Sequence, residues 1–208
     1  MNPFMTLVSW VFHPMLLSTY MSVAIAFTSP ELFGPVGNNN IQGLILAMFM
    51  STFAMPTLCM VLLKSYGVIT NIELVNRKER LIPFTSIILF YFIAAFMLFK
   101  VFKISDVFLS LIISVASLIT LLSVITSKFK ISIHGASNWG VAGALCYLSI
   151  FFDANMAVPL VLMLPIAGLV STSRLYLGFH TPKEIWTGSV LGFSYNFFFP
   201  WVFNLVFF

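Results

Sequence analysis

The feature that most constrains this chain is a succession of apolar stretches, each near the length a helix needs to cross a bilayer. A hydrocarbon core about 30 Å thick is spanned by about 20 apolar residues at the helical rise of about 1.5 Å. Residues 5–27, 41–63, 84–101, 107–125, 139–152, 156–170 and 185–208 meet or approach that requirement. The fifth and sixth runs are short and abut at Asp153-Ala154-Asn155, which predicts a tight helical hairpin or tilted helices inside a bundle. Membrane β-strands would be about 10 residues long with alternating polarity. These runs are longer and apolar all round. Only 8% of the residues are charged, against about 25% in soluble domains, which is too little polar surface to clothe a globule in water. The expectation is an all-α, polytopic integral membrane bundle of six to seven transmembrane helices, with residues 1–208 forming one domain. The N-terminus lacks the basic region of a cleavable signal, so the chain reads as a multi-pass protein of the cell membrane. Nothing in it suits a nucleic acid. Cys59 and Cys146 lie in apolar runs without a CxxC or Cys/His partner and read as small buried hydrophobes.

Charge divides the connections into two sets. With seven spans, the segments after an even number of crossings hold Lys64, Glu73, Arg77, Lys78, Glu79, Arg80, Lys128, Lys130, His134, Arg174, His180, Lys183 and Glu184. The other set holds Lys100, Lys103, Glu31, Asp106 and Asp153. Eight of the ten Lys and Arg residues, and two of the three His, therefore share the face of the N-terminus. The positive-inside rule places that face in the cytoplasm.

Three polar segments would meet there: residues 76–83 (Asn-Arg-Lys-Glu-Arg-Leu-Ile-Pro), residues 128–137 around Ser132-Ile133-His134, and residues 173–184 from Ser173-Arg174 through His180 to Glu184. Arg and Lys beside helix ends suit a phosphate, Arg by bidentate hydrogen bonds and Lys as a point charge. Imidazoles add a nucleophile or base and a general acid near neutral pH.

The third segment resembles the last signature of the type 2 phosphatidic acid phosphatase superfamily, which reads Ser-Arg, five residues, His, three residues, Asp. Ser173-Arg174, the five residues Leu175 to Phe179, and His180 fit that spacing, and Glu184 stands where the family has Asp. Tyr176, Gly178 and Gly188 are also similar to the family. Its middle signature, Pro-Ser-Gly-His, is kept only as Ser132 and His134. Its first, Lys, six residues, Arg-Pro, is represented by the basic character of Arg77, Lys78 and Arg80 ahead of Pro83, without the spacing.

The resemblance implies a phosphatase that needs no metal or other cofactor. His180 would attack phosphorus and become a phosphohistidine, Glu184 would orient it, and His134 would protonate the leaving alkoxide. Arg174 would bind phosphate, with Arg80, Arg77, Lys130, Ser132 and Ser173 as further candidate ligands. The substrates implied are lipid phosphates or polyprenyl (di)phosphates drawn from membrane lipid. The family's members mostly carry their site on the periplasmic or extracellular side, opposite to the charge count. Removing Arg80, Lys130 and Arg174 as ligands still leaves five cations against two, and we keep the cytoplasmic expectation.

Plainer roles remain open for the same residues. Thr181-Pro182-Lys183-Glu184 is a good helix start, in which Glu184 completes a capping box. Arg174 suits a snorkelling cation, and Arg77-Lys78-Glu79-Arg80 a solvated loop that sets topology. His134 suits a cap on the fifth span. His13, before Pro14 inside the first run, has no evident partner and reads as a packing residue beside a kink. The alternative functions are an inactive relative that binds anionic lipid, and a small transporter.

Overall fold

The computed structural model describes residues 2–72, 74 and 77–207, with Asn38, Asn39 and Arg77 described in backbone only. Among the described residues there is no strand. Eight helices carry the fold: α1 (Pro3–Val11), α2 (Pro14–Thr28), α3 (Ile41–Ser65), α4 (Leu81–Phe102), α5 (Asp106–Lys128), α6 (Ile133–Phe151), α7 (Ala157–Tyr176) and α8 (Pro182–Phe207). Their starts follow local chemistry: Asn40, Ser105 and Ser132 each accept a backbone N–H from the first turn of α3, α5 and α6. Both α3 and α4 contain a π-helical turn, at Met50–Ala54 and Leu98–Phe102.

Five of these helices, α3, α4, α5, α7 and α8, are long and apolar enough to cross a membrane. The first expected span is not one straight helix. It is the pair α1 and α2, bent by 61°. Pro14 has no N–H to continue the helix and its ring clashes with the preceding turn. His13 closes the break by capping α2, its Nδ1 accepting from Met15 N at 3.4 Å. Large apolar side chains such as Phe27, Leu89, Phe96, Val161, Trp186 and Leu205 are exposed around the bundle. In water that surface would be untenable, and in lipid it is the expected exterior. The protein is a helical membrane bundle.

The fifth and sixth runs were both read too short. The helices begin and end at Ile133–Phe151 and Ala157–Tyr176, so His134 belongs to the first turn of α6 and Arg174 to the last turn of α7 rather than to loops. They form the expected hairpin, turned at Asp153 in the left-handed conformation (φ 50°). The connections before and after α6 are short, and α6 itself falls outside the set of helices long and apolar enough to cross a membrane. It is less apolar than its neighbours because it is the central helix, packed chiefly on α8 and then on α7 and α2.

That central contact is close. Gly188 and Gly192 of α8 lie one turn apart, and a Cβ on either would collide with the Ser132 or Ala136 carbonyl of α6. Gly143 of α6 sits equally near the Phe193 backbone. Small residues at such spacing let two helices meet backbone to backbone inside a membrane. One result positions the site: the start of α6 is tied to the start of α8 by Ser132 N donating to Glu184 O at 3.1 Å.

Candidate functional site

Four elements deliver polar side chains to one end of the bundle. The α7–α8 turn supplies His180, with Glu184 one helical turn later. The nearer carboxylate oxygen of Glu184 is 2.8 Å from His180 Nδ1, and the same oxygen accepts from Thr181 N at 3.3 Å. Glu184 N donates to Thr181 Oγ1 at 3.4 Å, so the capping box and the imidazole partner are the same carboxylate. A carboxylate only accepts, so Nδ1 carries the proton and Nε2 keeps its lone pair. The His180 side chain is only 4% exposed. Burial lowers its pKa to about 4, with Glu184 opposing and Arg174 and Lys130 adding to the shift, and the ring is neutral at pH 7.

Arg174 is buried, with NH1 donating to Ser9 Oγ of α1 at 2.7 Å and its guanidinium carbon 4.2 Å from the centre of the Phe179 ring. Arg80, also buried, precedes α4. Its Nε donates to Leu74 O at 2.9 Å and its NH1 to Thr126 Oγ1 at 2.9 Å and Ile131 O at 3.4 Å. All three acceptors are neutral. Burial lowers the Arg80 pKa from its ordinary value, Glu184 opposes that and Arg174 adds to it. His134, in the first turn of α6, is buried and its Nε2 has no hydrogen-bond partner.

These groups line one cavity of ≈ 230 Å³. Arg80, Arg174, His134 and His180 are at its polar end, and among the described residues no carboxylate lines it. An excess of buried positive charge of this kind favours an anion. The rest of the lining is mostly apolar, from α2, α3, α4, α5 and α6.

Sequence reasoning missed one member. His13, read as a packing residue without a partner, lines the same cavity, and its ring centre lies 5.2 Å from that of His134 in an edge-on arrangement. The available signal was a polar side chain inside an apolar run, where it is costly. The break at Pro14 is what carries it to the site.

Other candidates fall elsewhere. Ser132 Oγ accepts from Gly135 N at 3.2 Å as the cap of α6, and Ser173 Oγ donates to Met5 O at 2.9 Å. Neither lines the cavity. Lys130 lies near enough to His180 to act on its charge but is not part of the lining. The side chain of Arg77, and Glu73 and Asn76 altogether, lie outside the described residues. Glu79 accepts from Thr70 N at 2.8 Å. Among the described residues no three metal-ligating side chains converge. Cys59 and Cys146 are separate free thiols.

The fold and site define a helical membrane protein with a basic, histidine-rich end to an internal apolar chamber. No known family, curated protein or solved structure matches the chain.

Proposed function

We propose that the chain is an integral membrane phosphatase that hydrolyses a lipid phosphate or polyprenyl (di)phosphate through a phosphohistidine on His180. One observation carries the reading: a buried, neutral imidazole, held at Nδ1 by a carboxylate, shares a cavity with two buried guanidiniums. The Ser173-Arg174 to His180 and Glu184 spacing, similar to the type 2 phosphatidic acid phosphatases, adds to it.

In this mechanism Arg174 and Arg80 hold the phosphate oxygens. His180 Nε2 attacks phosphorus, an N–P bond forms, and the P–O bond to the lipid breaks. The phosphate ester binds as its monoanion, with one proton, and His134 relays that proton to the departing alkoxide. His134 then takes one from water, which attacks the phosphohistidine and releases inorganic phosphate. Charge moving onto the transferring oxygens is met by guanidiniums already in place.

The test is phosphate release by purified protein from a panel of lipid phosphates in nanodiscs, with acid-labile phosphoenzyme trapped in parallel. His180→Ala should abolish both. Binding of these lipids without release, unchanged by His180→Ala, would replace the phosphatase with an anionic-lipid-binding protein.

A further inference from the structure

The cavity continues well beyond the groups that would hold a phosphate. Three helices give its depth independently. Its lining runs from Arg80, just ahead of α4, to Tyr91 on α4, from Leu122 to Leu111 on α5, and from Ile133 to Ala144 on α6. Eleven residue-to-residue steps on each correspond to about 16 Å, more than half of a hydrocarbon core about 30 Å thick. Met60, Phe84, Leu118 and Val141 represent the walls. Near the far end two hydrogen bonds join neighbouring helices. Ser18 Oγ and Tyr91 OH are 2.7 Å apart between α2 and α4, and Ser114 Oγ donates to Asn196 Oδ1 at 2.6 Å between α5 and α8. These pairs satisfy one another and mark the far end of the lining on α4, which goes no deeper than Tyr91. The apolar stretch between the two polar ends offers water few partners, and left empty it forfeits packing along its walls.

We infer that this chamber takes one hydrocarbon tail of the substrate into the bundle, and that its floor sets an upper limit on tail length. The inference rests on the proposed function for the headgroup, whereas the tail site stands on the chamber. Spread over about 16 Å, ≈ 230 Å³ leaves a narrow bore, suited to a single chain, because neighbouring carbons on two chains must stay about 4 Å apart. A zigzag chain of bonds of about 1.5 Å reaches the floor in about a dozen carbons. The tail leaves lipid hydrocarbon for protein hydrocarbon, so each added methylene gains little. Tail selectivity therefore takes the form of a ceiling, not a gradual rise.

The experiment has two arms, both on the full chain in nanodiscs at fixed mole fraction of probe. Phosphate release is followed from n-alkyl monophosphates, octyl to eicosyl. Binding of the matching n-alkylphosphonates is followed by tryptophan fluorescence, with Trp10 in the cavity wall as reporter. Turnover and binding should be nearly level to about twelve to fourteen carbons and fall at least tenfold by octadecyl. Ala144→Phe and Val115→Phe, each narrowing the deep part of the chamber, should lower the ratio of dodecyl to octyl turnover at least tenfold. Level values through eicosyl in both arms would overturn the tail site. No release from any probe, with the length ceiling intact in binding, would overturn the phosphatase and leave the tail site standing.

Discussion

Glu184→Gln isolates a charge from a hydrogen bond. In serine hydrolases the matching Asp→Asn change costs about 10⁴ in turnover, because the new amide selects the wrong imidazole tautomer. Here the geometry forbids that outcome. The carboxylate oxygen that faces His180 Nδ1 at 2.8 Å also accepts from Thr181 N at 3.3 Å. An amide NH2 in that position would meet the Thr181 N–H, donor against donor, so the substituted amide must present its carbonyl oxygen and His180 keeps its tautomer. What is lost is the charge assistance, roughly 1 to 2 kcal/mol of a hydrogen bond worth about 1.5–3 kcal/mol when charged. Turnover should therefore fall about 5- to 30-fold, with melting temperature within a few degrees of the parent. The assay is single-turnover phosphate release from an alkyl phosphate, together with a melting curve. A loss as deep as that of His180→Ala would show that the tautomer had flipped and that the shared-oxygen argument is wrong. No loss would reduce Glu184 to a helix cap.

His134→Ala should slow an alkyl phosphate at least 100-fold and an activated aryl phosphate far less, since an aryl oxide departs without a proton; equal losses on both would remove His134 as the acid. The His180 imidazole should titrate near pH 4 by NMR, with His180→Asn as assignment control. Because the fold holds this ring neutral, its contribution to stability is full above the unfolded pKa of about 6.5 and is lost as pH falls toward 4; a midpoint near 6.5 would contradict its burial. Turnover should survive excess chelator, since no three ligating side chains converge among the described residues, and loss restored by added magnesium or zinc would reassign the chemistry. Gly192→Val should cost at least about 1–3 kcal/mol by driving α8 off Ala136 of α6, and an unchanged melting temperature would show that this contact is loose.

The legible parts of this protein were those encoded locally. Apolar runs announced the helices, the spacing from Ser173 to Glu184 placed a guanidinium, an imidazole and a carboxylate together, and the charge count put the polar segments at one end. Helix ends were misread for a physical reason: His134 and Arg174 are polar, and polarity reads as loop until burial shows what surrounds it. His13 could not be matched to His134 from sequence, because 121 positions separate them and only the bend at Pro14 closes the gap. The chamber was invisible for the same reason. Its apolar walls come mostly from five helices, and a void has no residues of its own.

The backbone contact between α6 and α8 carries a consequence for how this chain can vary. His134 and Glu184 sit at the starts of the two helices that meet through Gly143, Gly188 and Gly192, so the geometry of the polar site is held by positions that accept no larger side chain. The chamber walls opposite α6 come from α2, α3, α4 and α5, and the α3 wall contains a π turn at Phe53 that loosens the regular helical ladder. In a saturation mutagenesis scan the two halves should separate. The α6–α8 seam should be nearly invariant, and the opposing wall should tolerate many apolar exchanges, each re-boring the chamber. Under the proposed function, such a division lets a lineage drift from one lipid phosphate to another by small steps, without rebuilding the groups that would cleave it.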